Sequence, residues 1–249
     1  MGAQRWGVMT WRVAAIVALL SCPALAQAAG IQLRWDSCDG GPAASDSVRF
    51  DCNPSGGSVY SLYGTFLLDA TAPGVSVMDG ILDVSSTAPG LPPFWHFEST
   101  GCDSSGWTLV CARPAECSDD TAGLCGPDGS ACQTVATFVP GVNGPGSTRL
   151  YFTVYRTDGA MLTGAPVRQF AMRLEFRMEN VARCSGCTLP VSITWTQATL
   201  YSPTALRSPL SVVATLSATD PDSQATVTAG GDTVPVRSHT WGQLKALYR

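Results

Sequence analysis

Apolar and polar positions alternate most regularly between residues 170 and 179. There Phe170, Met172, Leu174, Phe176 and Met178 are interleaved with Ala171 and with the charged Arg173, Glu175, Arg177 and Glu179. Successive side chains of an extended chain point to opposite sides, so a period of two predicts a strand with one face in a core and the other in water. Leu150, Phe152 and Val154 alternate with Tyr151, Thr153 and Tyr155 in the same way, as do Val191, Ile193 and Trp195 with Ser192, Thr194 and Thr196. Further strand-like runs cover residues 31–35, 48–52, 59–69, 75–84, 93–98, 134–139, 210–218 and 225–228. Turn formers separate them: Pro73-Gly74, Pro89-Gly90, the stretch 141–146, Asp158-Gly159 and Gly230-Gly231. Short strands with frequent turns predict an all-β fold, an antiparallel β-sandwich of jelly-roll or immunoglobulin/cohesin-like type.

Two segments depart from this pattern. At the end, Thr240 and Gln243 fit a capping box, and Trp241, Leu244, Leu247 and Tyr248 line one side of a helix over residues 240–249. Ten residues do not hold a helix alone in water, so it must dock on its own sandwich or on a partner. At the start, Arg5 and Arg12 precede an apolar run at 13–20 and the small-residue site Ala24-Leu25-Ala26, the layout of a secretory signal peptide over residues 1–26. Cleavage after Ala28 is the alternative. The run is shorter than the roughly 20 residues a spanning helix needs, and no later segment qualifies as transmembrane. Leu19-Leu20-Ser21-Cys22 also matches a lipobox, which would make Cys22 an acylated first residue. Export to the periplasm, cell surface or extracellular space follows from both readings. The sandwich would then occupy residues 27–239, with a cysteine-rich insertion at about 101–133.

Composition narrows the partners. Of the 249 residues, 45% are apolar and 14% charged, and the net charge is −4. With a single lysine, Lys245, and no basic cluster, the chain lacks the surface that tracks nucleic-acid phosphates.

Ten cysteines in an exported chain read as a disulfide framework, and the nine beyond Cys22 leave one unpaired. Sequence does not determine connectivity. Locality favours Cys38 with Cys52, Cys102 with Cys111 and Cys184 with Cys187, leaving Cys117, Cys125 and Cys132 to compete for one bond. Cys184-Ser185-Gly186-Cys187 also invites a redox or zinc reading. It lies between two strand-like segments, not at a helix start, and no second ligand pair accompanies it, so a hairpin bridge is the expectation.

Other chemistry is sparse. Asp103, Glu116, Asp119, Asp120 and Asp128 sit in the cysteine-rich stretch and offer oxygen ligands for calcium without an EF-hand spacing, as Asp220 and Asp222 do further on. No other cofactor is expected. His96 and His239 are the only histidines, and no Gly-x-Ser-x-Gly elbow occurs. Glu98 and Glu175 are the carboxylates that a secreted hydrolase would bring face to face. A binding module suits the residues better. Tyr151, Tyr155 and Trp95, with Trp107, Tyr60 and Tyr63, offer rings for stacking on a sugar, and Tyr151 and Tyr155 occupy the strand face opposite the aliphatic residues. The expectation is a non-catalytic surface or extracellular module whose partner is a surface protein or a glycan.

Three segments carry a resemblance: Leu33-Arg34-Trp35-Asp36-Ser37-Cys38 with Asp51-Cys52, Leu91-Pro92-Pro93-Phe94-Trp95-His96-Phe97, and residues 240–249. Together they resemble a family of exported bacterial proteins with no assigned activity. The resemblance spans residues 31–249 loosely and implies export and a shared fold. The chain departs from that family at Ser192 and at 234–236, where members often carry cysteines, and at Cys117, Cys125 and Cys132, which look like an insertion. The strand pattern is also similar to that of cohesin-like sandwiches, which bind other proteins.

Overall fold

The structure, a computed structural model, describes residues 29–38, 45–53, 55, 57–68, 75–115, 117, 122–125, 129, 131–157, 168–203, 210–220 and 223–230. The expected signal peptide with Cys22, the helix over 240–249, His239, Glu116, Asp119, Asp120, Asp128 and Asp222 lie outside these residues. No helix among the described residues is long and apolar enough to cross a membrane.

Among the described residues, twelve strands form two sheets: β1 (Gly30–Trp35), β2 (Ser47–Val48), β3 (Val59–Leu67), β4 (Val77–Ser86), β5 (Trp107–Val110), β6 (Ala122–Gly123), β7 (Cys132–Pro140), β8 (Ser147–Arg156), β9 (Gln169–Arg177), β10 (Val191–Pro203), β11 (Leu210–Ser217) and β12 (Thr226–Ala229). The five-stranded sheet runs β1-β3-β9-β5, with β6 sharing the same edge of β9 as β5. The seven-stranded sheet runs β2-β12-β10-β4-β8-β7, with β11 beside the second half of β10. Pairing is antiparallel except for the short β2–β12 and β6–β9 contacts, which are parallel. This is the expected all-β sandwich. The glycine-rich stretch 141–146 makes the tight β7–β8 connection, where Gly141 and Gly144 adopt positive φ.

One apolar core lies between the layers and draws residues from both sheets. At its centre Trp35, Phe50, Trp95 and Phe176 pack ring against ring, with centroids 5.6–6.1 Å apart. Phe97 carries the cluster on to Phe138 of β7, at 5.2 Å. The indole N–H of Trp35 donates to the Thr228 carbonyl (2.9 Å) and that of Trp195 to the Gln197 carbonyl (2.8 Å), so each keeps its polar tip satisfied while its ring is buried. Trp195 also reaches across to β3, where a Cβ at Gly64 would stand 3.0 Å from its ring.

Three expectations are corrected. Residues 93–98 are not a strand: Pro93–Trp95 form a single 3-10 turn, begun by proline at its first position, followed by loop. The alternation of β9 is broken by a bulge opposite Gly64 and Thr65. An extra residue there reverses the facing of what precedes it, so Phe170 leaves the main core and packs with Tyr63, Cys38 and Cys117 in a second cluster. The local cysteine pairs do not form either. The bonds are Cys38–Cys117, Cys52–Cys187, Cys102–Cys184 and Cys125–Cys132, and Cys111 is free. The reason is topological: β9 and β10 belong to different sheets, so the Cys184-x-x-Cys187 segment is a crossover between layers and not a hairpin. Each of its cysteines faces a neighbouring loop instead of the other.

Candidate functional site

Strand register assembles a continuous face of mixed polar, aromatic and aliphatic side chains on the outer side of the seven-stranded sheet. Asp79 of β4 lies between Thr153 of β8 and Thr199 of β10, Ile81 between Tyr151 and Gln197, and Val77 between Tyr155 and Tyr201. β7 extends these three rungs with Val135, Thr137 and Gln133. A shallow trough of about 420 Å³ runs along the rungs, with Asp79 and Thr153 in its floor and Tyr151, Val135 and Gln197 on its rim.

The floor is internally bonded. The Thr153 hydroxyl donates to Asp79 Oδ1 at 2.6 Å, and Gln197 Nε2 donates to Thr199 Oγ1 at 2.9 Å. Burial, and after it the hydrogen bond and charge of Asp79, push the Tyr201 phenol above its ordinary pKa, so it stays a neutral donor to that carboxylate. One rung along, Arg149 Nε and Nη2 donate to the two oxygens of Asp83 at 2.6 and 2.8 Å. That paired carboxylate holds the guanidinium well above its usual range, and the guanidinium carbon stands 5.8 Å from the centre of the Tyr151 ring. Tyr151 is thus propped from one side and 38% exposed on the other.

The sequence-predicted positions divide clearly. Tyr151 and Tyr155 stand on the outer face, as alternation expects, and the Tyr155 hydroxyl donates to Gln133. Trp95 is the correction among the stacking candidates, being fully buried and stacked on Phe50. Tyr63 is buried in the second cluster, Trp107 packs edge-on to Phe138 at 4.8 Å, and Tyr60 lies against Phe50 while its hydroxyl accepts from Asp51 N–H. Asp79, Gln197 and Tyr201 complete the trough but were not found from sequence. Their parity within each strand is readable, whereas the pairing that puts them beside Tyr151 is not.

The other candidate chemistry is dispersed or occupied. His96 Nδ1 lies 2.8 Å from Glu98 Oε1 and its Nε2 lies 3.1 Å from the Leu91 carbonyl, so both nitrogens face acceptors of their own loop. Glu175 is on the outer face of the five-stranded sheet, paired with Arg173 at 2.9 Å and Arg177 at 3.8 Å. Of the proposed calcium ligands, Asp103 is buried and accepts from Asn180 Nδ2 at 2.6 Å. Desolvation pushes its pKa up, against the Asn180 hydrogen bond. Among the described residues one group has metal-ligand spacing, the sulfurs of Cys111, Cys125 and Cys132, of which two are bonded to each other. Burial pushes the Cys111 thiol above its ordinary pKa. Cys184 and Cys187, considered for zinc or redox chemistry, are each bonded to a distant cysteine instead.

Set against known proteins, the chain matches no family model and no curated sequence, so its functional reading stands on the geometry of the sheet face.

Proposed function

We propose that this is an exported binding module without catalysis, and that it takes a hydroxyl-rich ligand, a glycan, on the outer face of the seven-stranded sheet. One observation carries the reading: the exposed ring of Tyr151 sits beside the bonded carboxylate–hydroxyl group of Asp79, Thr153 and Tyr201. An aromatic face covers the apolar C–H side of a sugar ring, while nearby carboxylate, amide and hydroxyl groups bond its hydroxyls. These side chains project from paired strands and not from loops, which preorganises them. Export is supported by the signal-like start and by four disulfides, which persist in oxidising compartments. The resemblance to exported bacterial proteins points the same way.

Calorimetric titration against a panel of soluble polysaccharides tests the proposal. Tyr151→Ala and Asp79→Ala are each expected to weaken binding about tenfold, equivalent to about 1.4 kcal/mol, with the melting temperature little changed. Unaltered affinity in both variants contradicts it. A protein partner is the second reading, favoured by β7: among the described residues it pairs only with β8, and it exposes Val135 and Val139. Such an edge accepts an added strand.

A further inference from the structure

The odd cysteine is not isolated. Cys111 follows the end of β5, Cys125 follows β6 and Cys132 opens β7, and their three Sγ atoms all lie within 4.8 Å of one another. Each backbone is anchored separately: β5 and β6 on the same edge of β9, and β7 on β8. Cys111 and Cys125 therefore belong to the five-stranded sheet and Cys132 to the seven-stranded one, and the bond Cys125–Cys132 staples the layers together. Between those two cysteines, Gly129 is seated on the chain beside Cys111. Gly129, at φ 66°, lies so close that a Cβ there would stand 2.6 Å from Ala112 Cβ, and its carbonyl accepts from Cys132 N–H at 3.1 Å.

A thiol held against a disulfide is the reactant pair of thiol–disulfide exchange. We propose that Cys111, Cys125 and Cys132 form an intramolecular exchange site in which one disulfide moves among three sulfurs. The Cys111 thiolate attacks Sγ of Cys132, a Cys111–Cys132 bond forms as Cys125–Cys132 breaks, and Cys125 leaves as the thiolate and takes up the proton that Cys111 lost. Attack on Cys125 instead gives Cys111–Cys125 and releases Cys132. No oxidant or reductant is consumed, because the number of disulfides is unchanged. The isomers differ in what they hold. Cys125–Cys132 and Cys111–Cys132 both tie the two sheets, whereas Cys111–Cys125 lies within the edge of one sheet and frees its junction with β7. The site thus moves a layer-to-layer staple and presents a different free thiol in each state; that thiol can attack a disulfide of a second molecule, forming a mixed disulfide as the second molecule's bond breaks and one of its sulfurs leaves as the thiolate.

Peptide mapping of the exported protein, purified from an oxidising compartment, tests this through Cys125→Ser and Cys132→Ser. The expected result is a new bond in each, Cys111–Cys132 in the first and Cys111–Cys125 in the second, with neither surviving cysteine open to alkylation after denaturation. Two alkylated cysteines in either folded variant overturn the proposal. If a variant does not fold, the wild-type protein decides: after incubation at pH 8, acid quenching and denaturing alkylation, the label is expected on at least two of the three cysteines. Label confined to Cys111 overturns it.

Discussion

Gly80 shows how far a single side chain controls the candidate site. It lies on β4 between Asp79 and Ile81 of the trough but faces inward, where the Phe152 ring fills the space a Cβ would occupy. Close-packed interiors resist added volume, so Gly80→Ala is expected to cost about 1–3 kcal/mol. Urea titration checks this by a lower midpoint at unchanged slope; an unchanged midpoint contradicts the packing described. Asp103 makes a second residue-scale prediction. Its carboxyl is buried, accepts from Asn180 and has a raised pKa because burial disfavours the charge. The folded state therefore holds this proton more tightly than the unfolded chain. That contribution is fully present below the ordinary carboxylate pKa of about 3.9 and is lost as pH rises through the folded value. Asp103→Asn keeps an acceptor for Asn180 and removes the charge. Its stability relative to wild type should rise with pH over that window and then level off, as read by melting temperatures from pH 3 to 8. A relative gain on acidification contradicts the assignment.

At the scale of elements, alternation made the strands readable because it is local. Leu150 to Tyr155 and Val191 to Thr196 show their inward and outward faces without reference to any neighbour. Where the deciding contact is distant, local periodicity does not show it. The bulge in β9 exists because Gly64 and Thr65 of β3 pair with it, and nothing in the sequence of β9 announces that. Residues 93–98 alternate adequately, but they feed three rings into the core between the sheets and do so as a turn. The outer face was half legible, since Tyr151 and Tyr155 follow from parity, while Asp79 and Gln197 required the pairings of β4 with β8 and β10. Disulfide pairing was least legible, as three of the four bonds join residues 79 to 135 positions apart. Longer closed loops restrict the unfolded chain more. Removing Cys102–Cys184, with a separation of 82, should cost about 4–5 kcal/mol, against about 2–3 kcal/mol for Cys125–Cys132, with a separation of 7. Paired alanine variants compared by denaturant unfolding check the order; an inverted order contradicts the model of loop closure.

Taken whole, the molecule is two sheets closed over one aromatic core, with bridges concentrated away from the face proposed to bind. Cys52–Cys187 and Cys102–Cys184 both anchor the crossover between the layers, and the Phe94 N–H bonds Ser185 of that same crossover at 3.0 Å. Cys38–Cys117 caps the second cluster beside Tyr63 and Phe170. The trough on β4, β8, β7 and β10 contains no disulfide, and its side chains are oriented by strand pairing and by the hydrogen bonds among them. A ligand there would bind to a surface already in its final shape, with little ordering cost. Chemical-shift mapping by NMR, with a bound polysaccharide titrated into isotopically labelled protein, tests this most directly. The account predicts perturbations concentrated at Asp79, Tyr151, Thr153, Gln197 and Tyr201; perturbations centred on the His96–Glu98 loop or on the five-stranded sheet would contradict it.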